Sequence, residues 1–124
     1  MNIYPIEAGN FKLDGGAMFG VIPKSLWQRT NPSDSDNLIE MSSRCLLVEN
    51  GNKLTLIDAG MGDKQSEKFF SFYKRSGDYD LVSSIKSAGF STDDITDVLL
   101  THLHFDHCGG ASIKNNFGKK EVLF

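Results

Sequence analysis

Cysteine, proline and long apolar runs are all scarce in this chain of 124 residues. Two cysteines cannot build a disulfide framework, so we expect a reducing, cytoplasmic environment. No stretch reaches eighteen consecutive apolar residues, and the amino terminus lacks a basic region followed by an apolar one. The sequence therefore predicts neither a membrane span nor an export signal.

Positive charge is also limited, with 13 Lys and Arg residues against 16 Asp and Glu residues and a net charge of −3. The basic residues form no run, and nucleic-acid binding depends on a concentrated basic surface. We therefore expect a small-molecule substrate and no nucleic-acid partner. The apolar share of 40% is ordinary for a globular protein, and the length predicts one domain over residues 1–124.

The three histidines are not spread along the chain, because His102, His104 and His107 fall within six residues, with Asp106 beside the last. Three packed histidines would each need a polar partner in the core, which makes packing a poor explanation. Imidazole nitrogen and carboxylate oxygen together favour zinc, with iron, manganese and cobalt as alternatives. The cluster therefore predicts a metal site.

The backbone before the histidines supports this prediction. Residues 97–101 are predicted to form a short buried strand that delivers the histidines at its carboxyl end. In extended backbone, His102 and His104 project to the same side and can reach one ion. Leu103 and Phe105 are then expected to point into the core.

Asp106 and His107 follow where the chain must turn, since Gly109 and Gly110 interrupt regular structure. That turn would direct both side chains to a second point a few ångströms away. Cys108 is expected to be a small buried spacer with a free thiol and no role as a ligand.

Two apolar runs, residues 43–48 and 53–57, flank the Asn50-Gly51 pair that typically closes a hairpin, so they are predicted to be antiparallel neighbours. Asp58 ends the second run. We expect it to accept a hydrogen bond from the histidine segment, because ligating imidazoles usually pass their other N–H to an acceptor. The alternative is an aspartate that only caps a turn.

The remaining segments complete the sheet and cover it. Residues 2–13 are predicted to be an edge strand, followed by a glycine-bracketed loop to residue 23 and a long surface connection anchored by Trp27. Helical patterns occupy residues 64–75 and 80–88, with the aromatic residues of the first predicted to be core. The fold class is α/β, of the mixed α+β kind: one mixed sheet with helices on one face.

The chain resembles the metallo-β-lactamase-fold hydrolases through its histidine motif (residues 101–107) and the Leu-Ile-Asp-Ala-Gly stretch (residues 56–60). Residues 13–20 and 23–27 look like the lactonase-related branch. The resemblance implies a four-layered αββα sandwich that binds two zinc ions. It places His102 and His104 on the first ion and Asp106 and His107 on the second.

The same resemblance implies a hydrolase in which a metal-bridging hydroxide attacks the carbonyl of a lactone or other ester. Asp106 is then expected to be the catalytic residue that orients this hydroxide, and Met18, Phe19 and Ile22 to form an apolar substrate wall. The alternatives are a metal-binding module without turnover, and a phosphodiesterase or thioesterase on the same scaffold.

The family takes its remaining ligands from the second half of the fold, and this chain has no histidine after His107. It therefore resembles the amino-terminal half of the sandwich. We expect the isolated chain to be inactive, and to need either a second chain that supplies the missing half or association with itself.

Overall fold

The computed structural model describes residues 1–124, and its centre is a four-stranded mixed sheet. The strands lie side by side in chain order, antiparallel for the first two pairs and parallel for the last pair. These strands are β1 (Asn2–Asp14), β2 (Leu38–Asn50), β3 (Lys53–Ile57) and β4 (Asp97–Leu99). The predicted mixed sheet is confirmed.

The β2–β3 hairpin turns at Gly51, whose φ of +63° is one that glycine adopts without strain. β2 is longer than predicted, because its first residues pair with the end of β1 as far as Leu38 opposite Asp14. β1 lies at the sheet edge, as predicted, and its register shifts between Glu7 and Asn10.

Five helices connect the strands. Two of them, α1 and α2, lie where the sequence predicted only loops. Asp14 accepts a hydrogen bond from the Ala17 amide (2.7 Å), which caps the first turn despite its glycines. The helices are α1 (Gly15–Phe19), α2 (Lys24–Trp27), α3 (Glu67–Tyr73), α4 (Leu81–Ser87) and α5 (Phe105–Cys108). Trp27 is buried, as expected of an anchor.

The two predicted longer helices differ in what they bury. α4 packs against β1 through buried Leu81 and Ile85, and a reciprocal cap between Asp80 and Ser83 starts it. α3 has no buried residue, so the prediction that its aromatics are core is wrong. An aromatic stripe at helical spacing shows that one face is apolar, but not that another element covers it.

The core lies between the sheet and α4. Its buried members come from β1, β2, β3, the loop after β3, and α4: Ile6, Cys45, Leu47, Leu54, Leu56, Ala59, Leu81 and Ile85. Burial raises the pKa of Cys45 to about 12, so this thiol is protonated in the core. None of the helices is long and apolar enough to span a bilayer.

The strand before the histidines is shorter and more exposed than predicted. β4 has only three residues, and all three are exposed, including Val98 and Leu99. It pairs with β3 alone and forms the sheet edge, so its apolar residues have no neighbour on the outer side. A small hairpin, β5 (Ser112–Lys114) and β6 (Lys120–Val122), follows the histidines.

Candidate metal centre

Two loops meet at the carboxyl ends of the parallel strands β3 and β4. The first is the acid loop (residues 58–64), and the second is the histidine segment (residues 101–110). Ile57 lies opposite Leu99, and the Asp58 amide donates to the Leu99 carbonyl at 2.9 Å. The parallel register therefore brings both loops to one edge, where polar sites of α/β sheets form.

Asp58 connects the two loops. Its side chain accepts hydrogen bonds from the Thr101 amide (2.8 Å), the Thr101 hydroxyl (2.8 and 2.9 Å) and His107 Nδ1 (2.8 Å). The residue is only 8% exposed, and its φ is +58°, a conformation that aspartate tolerates better than most residues. The sequence predicted a hydrogen bond from the histidine segment to Asp58. The bond from His107 joins residues 49 positions apart.

The charge of Asp58 fixes the tautomer of His107. Burial alone would raise the pKa of Asp58, but hydrogen bonds from His107 and Thr101 outweigh it and hold that pKa below the ordinary value of 3.8. An ionised carboxylate can only accept, so His107 must donate from Nδ1. Nε2 of the neutral ring is then left with a lone pair, as a metal ligand requires.

The backbones of the two loops also touch. The Ala59 amide donates to the His107 carbonyl at 2.7 Å, and the Gly110 amide donates to the Gly60 carbonyl at 2.9 Å. A Cβ on Gly109 would lie 2.0 Å from the Met61 carbonyl oxygen, far inside van der Waals contact. Glycine is therefore required here by the close approach of the two chains.

The donor side chains form two pairs. His102 Nε2 lies 3.0 Å from His104 Nδ1, and His107 Nε2 lies 3.4 Å from an Asp106 oxygen. The pairs adjoin, since the ring centroids of His102 and His107 are 4.0 Å apart. Each pair is also one that the family resemblance assigned to a single ion.

The pair distances can be compared with those around zinc. Tetrahedral zinc with bonds of about 2.0–2.1 Å holds neighbouring donors about 3.3 Å apart. Both observed separations are close to this value, and the donor atoms are imidazole nitrogen and carboxylate oxygen. However, no three His, Cys, Asp or Glu side chains form a group that could hold an ion. The residues fit zinc as two half-filled ligand sets.

The side chains between the ligands do not point into a core as predicted. Leu103 is 78% exposed, because the edge strand before it has nothing packed outside it. Phe105 is half-buried and contacts Tyr73 (ring centroids 4.4 Å) and Phe69 (5.4 Å). These three rings make an aromatic surface beside Asp106 that the sequence analysis missed. The Phe-x3-Tyr spacing on α3 was the signal for it.

The predicted substrate wall lies on α1 and the turn after it. Phe19 stacks on Trp27 with ring centroids 5.1 Å apart, whereas Met18 and Ile22 are about half exposed. Cys108 is half-buried instead of buried, and its thiol donates to the Leu103 carbonyl at 3.5 Å. Neither cysteine forms a disulfide.

A cavity of about 470 Å³ adjoins the acid loop but contains no histidine. Its walls come from β1, the residues before α4, and the backs of the two loops at Met61 and Gly110. None of the three histidines lines the cavity, and neither does Asp106.

Comparison with known protein families gives one match, to the model of the metallo-beta-lactamase superfamily over residues 38–113. Among curated relatives, an N-acyl homoserine lactonase of Bacillus thuringiensis is 29% identical over 118 residues, covering 87% of this chain and 43% of the relative. A lactonase of Bacillus cereus is 28% identical over 90 residues, covering 64% of this chain and 36% of the relative.

Solved structures similar to this chain are also hydrolases and lactonases. A "probable metal-dependent hydrolase" from Staphylococcus aureus has a TM-score of 0.85 and 34% identity, covering 91% of this chain and 41% of that one. AidC, a dizinc quorum-quenching lactonase, has a TM-score of 0.62 and 28% identity, covering 98% and 38%. The predicted fold class is confirmed, and the chain spans about two-fifths of the length of these proteins.

Proposed function

Because the chain belongs to the metallo-β-lactamase superfamily, we propose that it supplies part of the active site of a metal-dependent hydrolase. The reaction proposed is attack of water on the carbonyl of a lactone or other small ester. The observation that carries this proposal is the arrangement of two adjoining donor pairs, at 3.0 and 3.4 Å, with Asp58 behind one of them.

Each side chain has a role in this proposal. His102 and His104 would hold one zinc ion, and Asp106 and His107 a second. Zinc supplies Lewis acidity, which polarises a carbonyl and makes water more acidic at neutral pH. Asp58 holds the His107 ring by Nδ1 and leaves Nε2 directed towards Asp106.

Asp106 is the proposed catalytic residue. It is half-buried, and one of its oxygens already lies 3.4 Å from His107 Nε2. A carboxylate at this position can accept a hydrogen bond from the attacking water and so orient it towards the carbonyl.

The proposed substrate is a small acyl lactone, as the names of the relatives suggest. Phe105 precedes Asp106 in the chain, and its ring contacts Phe69 and Tyr73 to form an aromatic surface that offers apolar contact for an acyl group. Met18, Phe19 and Ile22 are proposed as a further wall, and Met18 and Ile22 have the exposure that such contact requires.

The test is a panel of acyl-homoserine lactones, a thioester, a phosphodiester and nitrocefin, assayed with zinc on the protein that contains this chain. We expect lactone hydrolysis that a chelator abolishes, and an Asp106→Asn variant with kcat lowered about 100-fold or more. Asp63→Asn, an exposed change on the acid loop, is the matched control. Full activity in Asp106→Asn would remove the assignment.

The alternative is a metal-binding module without turnover, since the same two donor pairs could bind zinc with no reaction following. Under that alternative the protein would bind zinc and hydrolyse none of the four substrates.

A further inference from the structure

Two residues of the acid loop have side chains that reach past the loop to the other side of the contact. Asp58 is the first, and Lys64, at the end of the loop, is the second. Its ammonium group donates to the Gly109 carbonyl and to the Ser112 hydroxyl, the latter at 2.8 Å. Lys64 is half-buried, and both acceptors lie just after His107 in the chain. The lysine therefore holds the far end of the turn that carries Asp106 and His107.

Several contacts join the two loops, and each of them fixes a different part of this turn. Asp58 holds the His107 ring, and the Ala59 amide holds the His107 carbonyl at 2.7 Å. Gly60 accepts from the Gly110 amide at 2.9 Å. The Gly109 carbonyl, which none of these contacts satisfies, is the group that Lys64 binds.

A charged donor suits that position. Hydrogen bonds that involve a charged group are stronger than neutral ones, by roughly a factor of two. Gly109 is buried against the Met61 backbone, and the bond from Lys64 fixes the direction of its carbonyl. A turn free at this end could rotate, and Asp106 and His107 would rotate with it.

We infer that Lys64 is a positioning residue that sets the orientation of the Asp106–His107 pair towards a metal ion. The inference rests on the proposed function, since it assumes that this pair binds metal. Lys64 itself would contact neither metal nor substrate; it acts through Gly109 and Ser112.

The experiment compares zinc affinity, measured by competition with a chromophoric chelator, across variants of one protein. Lys64→Met should weaken zinc binding about tenfold, as loss of a group that orients a ligand typically does. Lys64→Arg keeps a charged donor and should remain within about threefold of wild type.

Arg75→Met is the matched control. Arg75 donates to the Gly62 carbonyl at 2.7 Å and lies over the Phe70 ring, so it holds the same acid loop without touching the histidine segment. We expect Arg75→Met to lower the thermal midpoint and to leave zinc affinity within about twofold. An equal loss of affinity in both variants would overturn the inference, because Lys64 would then be only a structural contact.

If Lys64→Met does not fold, Lys64→Gln takes its place, because it removes the charge and keeps a polar side chain at this position. Zinc affinity equal to that of wild type would then overturn the inference. Turnover is not measured here, so the two proposals fail separately. A wild-type protein that binds zinc but hydrolyses nothing would remove the hydrolase proposal alone.

Discussion

The histidine segment has two parts that are held in very different ways. In the closed half (residues 105–110), His107 is bonded by Asp58 and the two glycines lie against the acid-loop backbone. In the open half (residues 102–104), every residue is exposed, and His102 and His104 contact each other, Thr101 and, through His102, the His107 ring. One short motif therefore contains both a preorganised and an unsupported ligand pair.

This difference indicates how the site would acquire metal. In the Asp106–His107 pair, the His107 ring is already held by Asp58, so this ring needs little ordering when an ion binds. The His102–His104 pair has few such contacts, and an ion or another part of the fold must order it. We therefore expect the two pairs to respond unequally to mutation.

The strongest way to break the closed half is Gly109→Ala. The added Cβ would lie 2.0 Å from the Met61 carbonyl, while the φ of −57° is ordinary, so the effect comes from the clash alone. We expect a loss of about 3 kcal/mol or more in the free energy of unfolding.

Gly51→Ala is the control for this change. Gly51 has open space around it but a positive φ, so alanine should cost only about 1 kcal/mol. Urea denaturation of both variants gives the comparison. Equal losses would show that the two loops are not in close contact.

Asp58→Ala should have the next largest effect. It removes the acceptor of the Thr101 amide and of His107 Nδ1, two part-buried hydrogen bonds worth about 1 kcal/mol each. Zinc affinity should also fall about 10- to 100-fold, because the His107 ring loses its orientation. Calorimetric zinc titration is the measurement, and unchanged affinity would mean that Asp58 is only a turn cap.

Acid should weaken the closed half in the metal-free protein. The pKa of Asp58 is lower in the folded state than its ordinary value of 3.8, so its stabilisation is complete above that value. It should be lost as pH falls through the lowered folded pKa. Unfolding measured with chelator present should show a shallower acid decline in Asp58→Ala than in wild type, and parallel curves would contradict the assignment.

The smallest effect is expected in the open half. Leu103 is 78% exposed, so Leu103→Ser should change the free energy of unfolding by no more than about 0.5 kcal/mol. Leu56→Ser is the comparison, since Leu56 is fully buried. A large loss for Leu103→Ser would show that this side chain is covered in solution.

The sequence predicted the elements whose cause is local. Asn50-Gly51 identified the hairpin, because a two-residue turn depends only on a few neighbouring residues. The hydrogen bond of Asp58 could be predicted as well, since a carboxylate at the end of a strand is a suitable acceptor for a histidine proposed to bind metal.

The errors concern burial, which depends on distant parts of the chain. The apolar run at residues 97–101 predicted a buried strand, yet β4 is an exposed edge because nothing pairs on its outer side. The aromatic residues of α3 were predicted to be core from their helical spacing alone. That spacing does not show whether another element covers them. Lys64 gave no signal, because its acceptors are a backbone carbonyl and a serine 45 and 48 residues away.

The distance along the chain between Asp58 and His107 also has a kinetic meaning. Their contact closes a loop of 49 residues, which costs about 3.5 kcal/mol of chain entropy on a simple polymer estimate. Contacts of this kind tend to form late, after local hairpins and helices. The hydrogen bond between Asp58 and His107 can therefore form only after the parallel strands β3 and β4 have paired. The rate at which zinc affinity appears during refolding would measure the rate of that pairing.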